Sequence, residues 1–176
     1  MSIYTKKGDQ GKTGLYSDQK RLTKDSSRIK AVGAVDELNS FLGVVVSASE
    51  DSHLVKILNE IQRDLLTMGS IIGGNNLLFS KTKTRRIEQQ IDKLEKELPK
   101  LSNFIVPGGT ETAAKLQFAR TIARRAEREV VGLSKEESVK PQILIYLNRL
   151  SDGLFMFARK ANFSKSVEEE TWKIKK

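Results

Sequence analysis

Apolar residues return at steps of three and four along most of this chain, the spacing that gives a helix one buried stripe. A first stripe, from about Ser26 to Ser49, is Ile29, Val32, Val35, Leu38, Leu42 and Val45. A second is Leu54, Ile57, Leu58, Ile61, Leu65, Met68 and Ile72; a third is Ile87, Ile91, Leu94 and Leu98, stopped by Pro99. The fourth opens after Pro107-Gly108-Gly109-Thr110, a helix-breaking stretch whose threonine suits an N-cap, and carries Ala119, Ile122, Ala123, Ala126 and Val130. The fifth begins at Pro141, which fits a first helical turn, and runs through Leu144, Leu147, Leu150, Leu154 and Ala158. No segment alternates convincingly as a strand. These patterns predict an all-α bundle in one domain, residues 1–176, a length that suits a single core.

Two segments stand outside the stripes. Residues 1–24 are polar, glycine-containing and aperiodic; residues 73–86 form a Gly-Asn-Asn loop and a basic stretch. Residues from about 164 to 176 read as a polar, basic tail.

The chain has no cysteine, which excludes disulfides, zinc–thiolate sites and a catalytic thiol. Its one histidine, His53, stands beside Asp51 and Ser52 at an expected helix start, the place of a surface residue. Apolar runs such as 44–46 and 153–158 are too short to span a bilayer, and the N-terminus shows no apolar leader. The expectation is a cytoplasmic protein with no membrane partner. A net charge of +9 favours polyanions: nucleic acid, an acidic membrane surface or a phosphorylated small molecule.

Four constellations carry chemistry. The arm Tyr4-Thr5-Lys6-Lys7-Gly8-Asp9-Gln10-Gly11-Lys12-Thr13-Gly14 combines glycines with lysines and hydroxyls, the parts of an anion cradle. It is not a Walker A loop, because Lys6 stands where that motif has its first glycine. A flexible basic arm is the plainer alternative. Arg120, Arg124 and Glu127 fall in one sector of the fourth helix, beside Arg125 and Arg128. Arginines one turn apart repel unless an anion lies against them, and a polyphosphate would serve; an ordinary charged face, with Arg125 paired to Glu129, would serve equally. Asn148, Arg149 and Asp152 place polar groups in a leucine-rich helix, to hold a ligand or lock two helices. Asp36, Glu37 and Asn39 do the same in the first helix.

Taken together and in this order, these segments resemble the PduO-type ATP:corrinoid adenosyltransferases. The strings that carry the resemblance span Tyr4 to Asn162: Tyr4-Thr5…Gly8-Asp9…Gly11…Thr13, Lys24-Asp25…Arg28, Val35-Asp36-Glu37-Leu38-Asn39, 104–109 (Phe-Ile-Val-Pro-Gly-Gly), Ala119-Arg120…Arg124-Arg125-Ala126-Glu127-Arg128 and 146–152 (Tyr-Leu-Asn-Arg-Leu-Ser-Asp). The resemblance implies a five-helix bundle with ferritin-like up-down helices, assembled as a homotrimer with active sites between subunits. It implies transfer of the 5′-deoxyadenosyl group of ATP to the cobalt of cob(I)alamin or a related corrinoid. Thr5, Lys6, Lys7, Gly8, Asp9, Gly11, Thr13, Lys24 and Arg28 would surround the triphosphate. Arg124, Arg125 and Glu127 would complete the nucleotide site from a neighbouring subunit, and Arg128 and Asn148 would also contact the nucleotide. Asp36 would pair with Arg120 across the boundary on the corrinoid side, and Phe104 would press on the lower face of the corrin. Mg2+ would bridge the phosphates without a dedicated protein site, and a reductase and a cobalamin-dependent enzyme become candidate partners. Cobalt(I) is itself a strong nucleophile, so a chain with no cysteine and one stray histidine suits the reaction. Three positions depart from the pattern: Gln117 stands where histidine is expected, Gly153 where an aromatic is common, and Lys7 where a small residue is usual.

Two other readings compete. A basic nucleic-acid-binding module would account for the charge, but the basic residues do not gather with aromatics able to stack on bases. An ATP-binding regulator that no longer handles corrinoid would keep the fold and lose the activity. A ferritin-like di-metal bundle is excluded, because the helices hold no Glu-x-x-His pair.

Overall fold

The computed structural model describes Tyr4, residues 6–15 and residues 21–172. Among these, five helices follow one another: α1 (Ser27–Ala48), α2 (Ser52–Ile72), α3 (Lys81–Glu97), α4 (Glu111–Ser134) and α5 (Pro141–Ser164). Two short strands precede them, β1 (Lys12–Thr13) and β2 (Leu22–Thr23), paired antiparallel with Lys12 opposite Thr23.

Local chemistry sets the helix starts. The Asp51 carboxylate accepts hydrogen bonds from the His53 and Leu54 amides, which leaves His53 exposed on the first turn of α2. Thr110 caps α4 through the Ala113 amide, and Pro141 occupies the first turn of α5, both as the sequence predicts. The buried stripes are also the predicted ones: Leu38, Leu42 and Val45 of α1, Leu58, Leu65 and Met68 of α2, Leu147, Leu150 and Leu154 of α5 are all removed from water. Each such leucine contributes about 1.5–3 kcal/mol of hydrophobic stabilisation.

Helix α4 packs between α1 and α5; α2 lies on α1, and α3 on α5. A buried carboxylate draws the two outer helices together. Asp64 of α2 accepts hydrogen bonds from Lys83 and Arg86 of α3 (3.0 Å from Arg86) and from the Tyr146 hydroxyl of α5 (3.1 Å). Helix α1 is long and apolar enough by composition to cross a membrane, with a mean hydropathy of 1.3 over its best window. Here it buries Ala31, Ala34, Val35, Leu38, Leu42 and Val45 within the bundle.

The structure corrects the sequence reading at two places. The basic stretch within 73–86 is helical from Lys81, well before the apolar stripe begins at Ile87. Ser80 caps this start through the Thr82 amide, Lys83 and Arg86 are held by the Asp64 network, and Thr84 between them is buried. As far as Trp172, the segment after α5 is held by pairing. Ile105 bridges Thr171, the Val106 amide donates to the Glu170 carbonyl and the Trp172 amide to the Phe104 carbonyl, each at 2.8 Å. Arg159, buried in α5, anchors the return by donating to Glu169 (3.0 Å) and to the Pro99 carbonyl (2.8 Å).

Candidate active site

The N-terminal arm folds on itself. The Asp9 amide donates to the Lys6 carbonyl (3.3 Å) and the Gly11 amide to the Gly8 carbonyl (3.2 Å), giving two successive turns. Gly11 has φ +74°, which an L side chain adopts only with strain, and its carbonyl accepts from the Lys24 amide at 2.8 Å. A Cβ on Gly8 would sit 3.4 Å from the Lys24 ammonium, so that cation lies directly over the loop. Arg21 laces the hairpin by donating to the Lys7 carbonyl and to the Lys12 carbonyl (2.7 Å). Lys6, Lys7, Gly8, Asp9, Gly11, Thr13 and Lys24 therefore share one basic hairpin. Thr5 lies outside the described residues. Arg28 stands in the first turn of α1, where its Nε donates to Glu137 at 2.8 Å, so a carboxylate just beyond α4 answers its charge.

The arginines of α4 meet a different part of the molecule. Arg120 and Arg124 line a cleft of about 670 Å³ with Glu88, Asp92 and Glu95 of α3 and Asp152 of α5. A second cleft of about 770 Å³ holds Phe104, Gln117, Arg120 and Trp172; Leu101, Arg120 and Phe155 belong to both. Phe104 is 80% exposed, an aromatic ring held out in water on a segment that Trp172 pins from behind. Arg120 is half-buried. Desolvation first, and then the neighbouring Arg124, push its pKa below the usual arginine range. Its Nε donates to Gln117 Oε1 at 2.9 Å. Arg124 is exposed and has no anionic partner among the described residues.

Other predicted site residues are already engaged. Arg125 pairs with Glu37 of α1, and not with Glu129, because α1 packs along that side of α4. Asn148 donates to Glu127 at 3.0 Å, tying α5 to α4, while Arg128 is exposed. Arg149 bridges Glu88 (3.1 Å) and Asp152 (3.3 Å). Asp36 is exposed on α1 and has no cationic partner among the described residues.

Phe104, Arg120 and Arg124 thus line adjoining clefts, and none of the described residues of the arm lines either one. The arm runs into the start of α1, where Ser27 and Arg28 contact Glu136 and Glu137 beyond the end of α4. Arg124 lies ten residues before Ser134, roughly 15 Å along the helix from that end.

The cleft residues that the sequence did not single out include the α3 acids Glu88, Asp92 and Glu95 and three large apolar side chains. Leu101 and Phe155 look like ordinary apolar positions, and Trp172 looks like part of a basic tail; its one signal is a lone tryptophan among charges. Of the two departures near the corrinoid strings, Gln117 lines the Phe104 cleft. Gly153 does not: a Cβ there would meet Ile87 at 2.9 Å, so this glycine lets α3 close on α5 and leaves no room for an aromatic ring.

Comparison with known proteins gives concordant results. The family model described as cobalamin adenosyltransferase matches residues 3–161. The chain is 40% identical over 170 residues to the corrinoid adenosyltransferase of Bacillus subtilis, covering 92% of this chain and 87% of that one. It is 39% identical over 166 residues to the corrinoid adenosyltransferase PduO of Citrobacter freundii, of which it spans about half (49%). Among solved structures, a variant of the PduO-type ATP:corrinoid adenosyltransferase from Lactobacillus reuteri, complexed with cobalamin and ATP, superposes with a TM-score of 0.94 at 37% identity. That match covers 98% of this chain and 99% of the other.

Proposed function

The chain belongs to the cobalamin adenosyltransferase family, and from that premise we propose that it transfers the 5′-deoxyadenosyl group of ATP to the cobalt of cob(I)alamin or a related corrinoid. One observation carries the reading. Arg120 joins a cleft holding the unanswered charge of Arg124 to a cleft holding the exposed ring of Phe104. An anion and a large apolar disc would meet at that residue.

In the reaction, the cobalt(I) lone pair attacks C5′ of the ribose, a cobalt–carbon bond forms, and the C5′–O bond breaks to release triphosphate. The protein supplies no nucleophile. Its work is to hold the reactants in line and to stabilise charge on the leaving group. Lys6, Lys7, Gly8, Asp9, Gly11, Thr13 and Lys24, with Thr5, would wrap the triphosphate. Asp9 is the one carboxylate between residues 6 and 15, among Lys6, Lys7 and Lys12, so the hairpin suits phosphate rather than a bare cation. Mg2+ would arrive on the phosphates and be held by them.

Arg124 would meet the developing charge, with Arg125, Glu127, Arg128 and Asn148 around the nucleotide; Arg28 would sit at the edge of the cradle. Phe104 would cover the lower axial face of the corrinoid, keeping the base off cobalt and easing its reduction. The separation of hairpin and arginine cleft supports a homotrimer in which the arm of one subunit reaches the α4 of the next and Asp36 pairs with Arg120 across the boundary. A reductase would deliver the electron and a cobalamin-dependent enzyme would take the product, in the cytoplasm, with no nucleic acid or membrane involved.

The test is anaerobic mixing of the protein with MgATP and chemically reduced cob(I)alamin, followed by absorbance. Decay of the cob(I)alamin band with growth of a photolabile cobalt–carbon species is the expected result. ATP binding without that change would favour the regulator, and absence of ATP binding would overturn both.

A further inference from the structure

Arg120 is held in place against two penalties. It is half-buried, and Arg124 stands one turn away on the same helix with a like charge. Cations in such positions are commonly steadied by a carboxylate, and acids are close at hand: Glu88, Asp92 and Glu95 of α3 and Asp152 of α5 line the same cleft. The hydrogen bond that the structure gives to the Arg120 side chain goes instead to a neutral group, the buried amide of Gln117, one turn earlier on α4.

The geometry of that bond decides what it does. Gln117 accepts from Nε, the nitrogen at the stem of the guanidinium, at 2.9 Å. Nε is the donor closest to the backbone, so fixing it sets the plane of the group while the Nη atoms remain available to an outside acceptor. The amide adds no charge, so the positive field of Arg120 is left to the outside acceptor that meets its Nη atoms. A glutamate at 117 would hold the same nitrogen and cancel that field.

We infer that Gln117 is a positioning residue for the proposed reaction: its side chain aims the Arg120 guanidinium between the phosphate-side and Phe104-side clefts without neutralising it. The inference rests on the functional reading above and deepens it. Gln117 lines the Phe104 cleft and touches no reacting atom, so its effect is expected on the corrinoid side.

The first variant is Gln117→Met, which keeps the volume and removes the acceptor. Folding is checked by thermal unfolding and ATP affinity by titration, before steady-state kinetics. The expected result is a KM for cob(I)alamin raised at least fivefold with a KM for ATP within twofold of the parent. A corrinoid KM within twofold would overturn the inference, because mere packing at 117 is preserved in this variant. The second variant is Gln117→His, which puts back a neutral acceptor: an imidazole nitrogen accepts from Nε, and burial beside Arg120 disfavours its protonation. At pH 8 its corrinoid KM should stay within twofold of the parent; a rise of fivefold or more, with folding and ATP affinity kept, would refute the positioning role even if the methionine variant failed to fold. The parent, run alongside, separates the two claims. No adenosyl transfer by the parent would sink the functional reading and this inference with it, whereas an active parent with an unaffected methionine variant would sink this inference alone.

Discussion

Replacing Gly109 by alanine should destabilise the protein through a single neighbour, and the size of the effect can be worked from the structure. Gly109 has φ +100°, and a Cβ built on it would lie 2.2 Å from Oδ1, 2.5 Å from Nδ2 and 2.6 Å from Cγ of Asn162. Asn162 is buried on α5 and makes three bonds to this loop: it accepts from the Thr110 amide (2.9 Å) and hydroxyl (3.3 Å), and donates to the Gly108 carbonyl (3.0 Å). The new methyl cannot coexist with that side chain, so all three bonds are lost, at about 1 kcal/mol each. The positive φ costs a further 1–3 kcal/mol or so for a residue with a Cβ. Gly109→Ala should therefore lose about 4–6 kcal/mol, and Asn162→Ala about 3 kcal/mol for the same three bonds. The double variant removes the clash and loses the bonds only once. Its loss should again be about 4–6 kcal/mol, short of the sum of the single losses by about 3 kcal/mol. Urea unfolding at 25 °C of the four proteins measures this cycle. Additivity within about 0.5 kcal/mol would show that Asn162 is not what Gly109 makes room for.

Further outcomes follow for the site and the core. Arg124→Ala should lose on the order of 2–4 kcal/mol of transition-state stabilisation, about 30-fold to 10³-fold in kcat/KM; near-normal steady-state rates would end its assignment to the triphosphate. Phe104→Ala should still bind ATP but leave the lower ligand on cob(II)alamin, so an EPR spectrum showing the base displaced as in the parent would count against its role. Asp64→Asn removes the charge that Lys83 and Arg86 face and should destabilise by about 3–5 kcal/mol in denaturant, whereas Tyr146→Phe removes one donor of three and should cost about 1–2 kcal/mol. Burial, with Asp64 beside it, raises the pKa of Tyr146 in the folded protein well above the usual tyrosine range. The native state thus holds this proton more tightly, and the associated stability is complete below about pH 10 and lost as pH rises beyond it. Unfolding at pH 8 and pH 11 should show a smaller alkaline loss in Tyr146→Phe than in the parent, and equal losses would refute the coupling.

The parts of the fold written in apolar spacing were legible. Stripes such as Leu38–Leu42–Val45 need only a helix to become a buried face, and Thr110 and Pro141 act on their own backbones. The start of α3 was not legible, because Lys81 to Arg86 is polar and is recruited by Asp64, a residue of another helix. Nor was the pairing of 104–106 with 170–172, since a single bridge has no local signature until Arg159 brings the segment back. Within the site, the arginines were readable as a stripe, but their partners were not. Periodicity places Arg125 on a face without saying that Glu37 of α1 will meet it there, and it could not tell that Gln117 would be the group bonded to Arg120.

The distance between the basic hairpin and the arginine cleft also bears on inheritance. If each site takes its hairpin from one copy and its arginines from the next, a copy damaged in the hairpin and a copy damaged in α4 are not equally useless when mixed. In a closed ring containing both kinds, one boundary always joins an intact hairpin to an intact α4. Two alleles that are each null alone would then restore part of the activity when expressed together, and two alleles damaged in the same half would not.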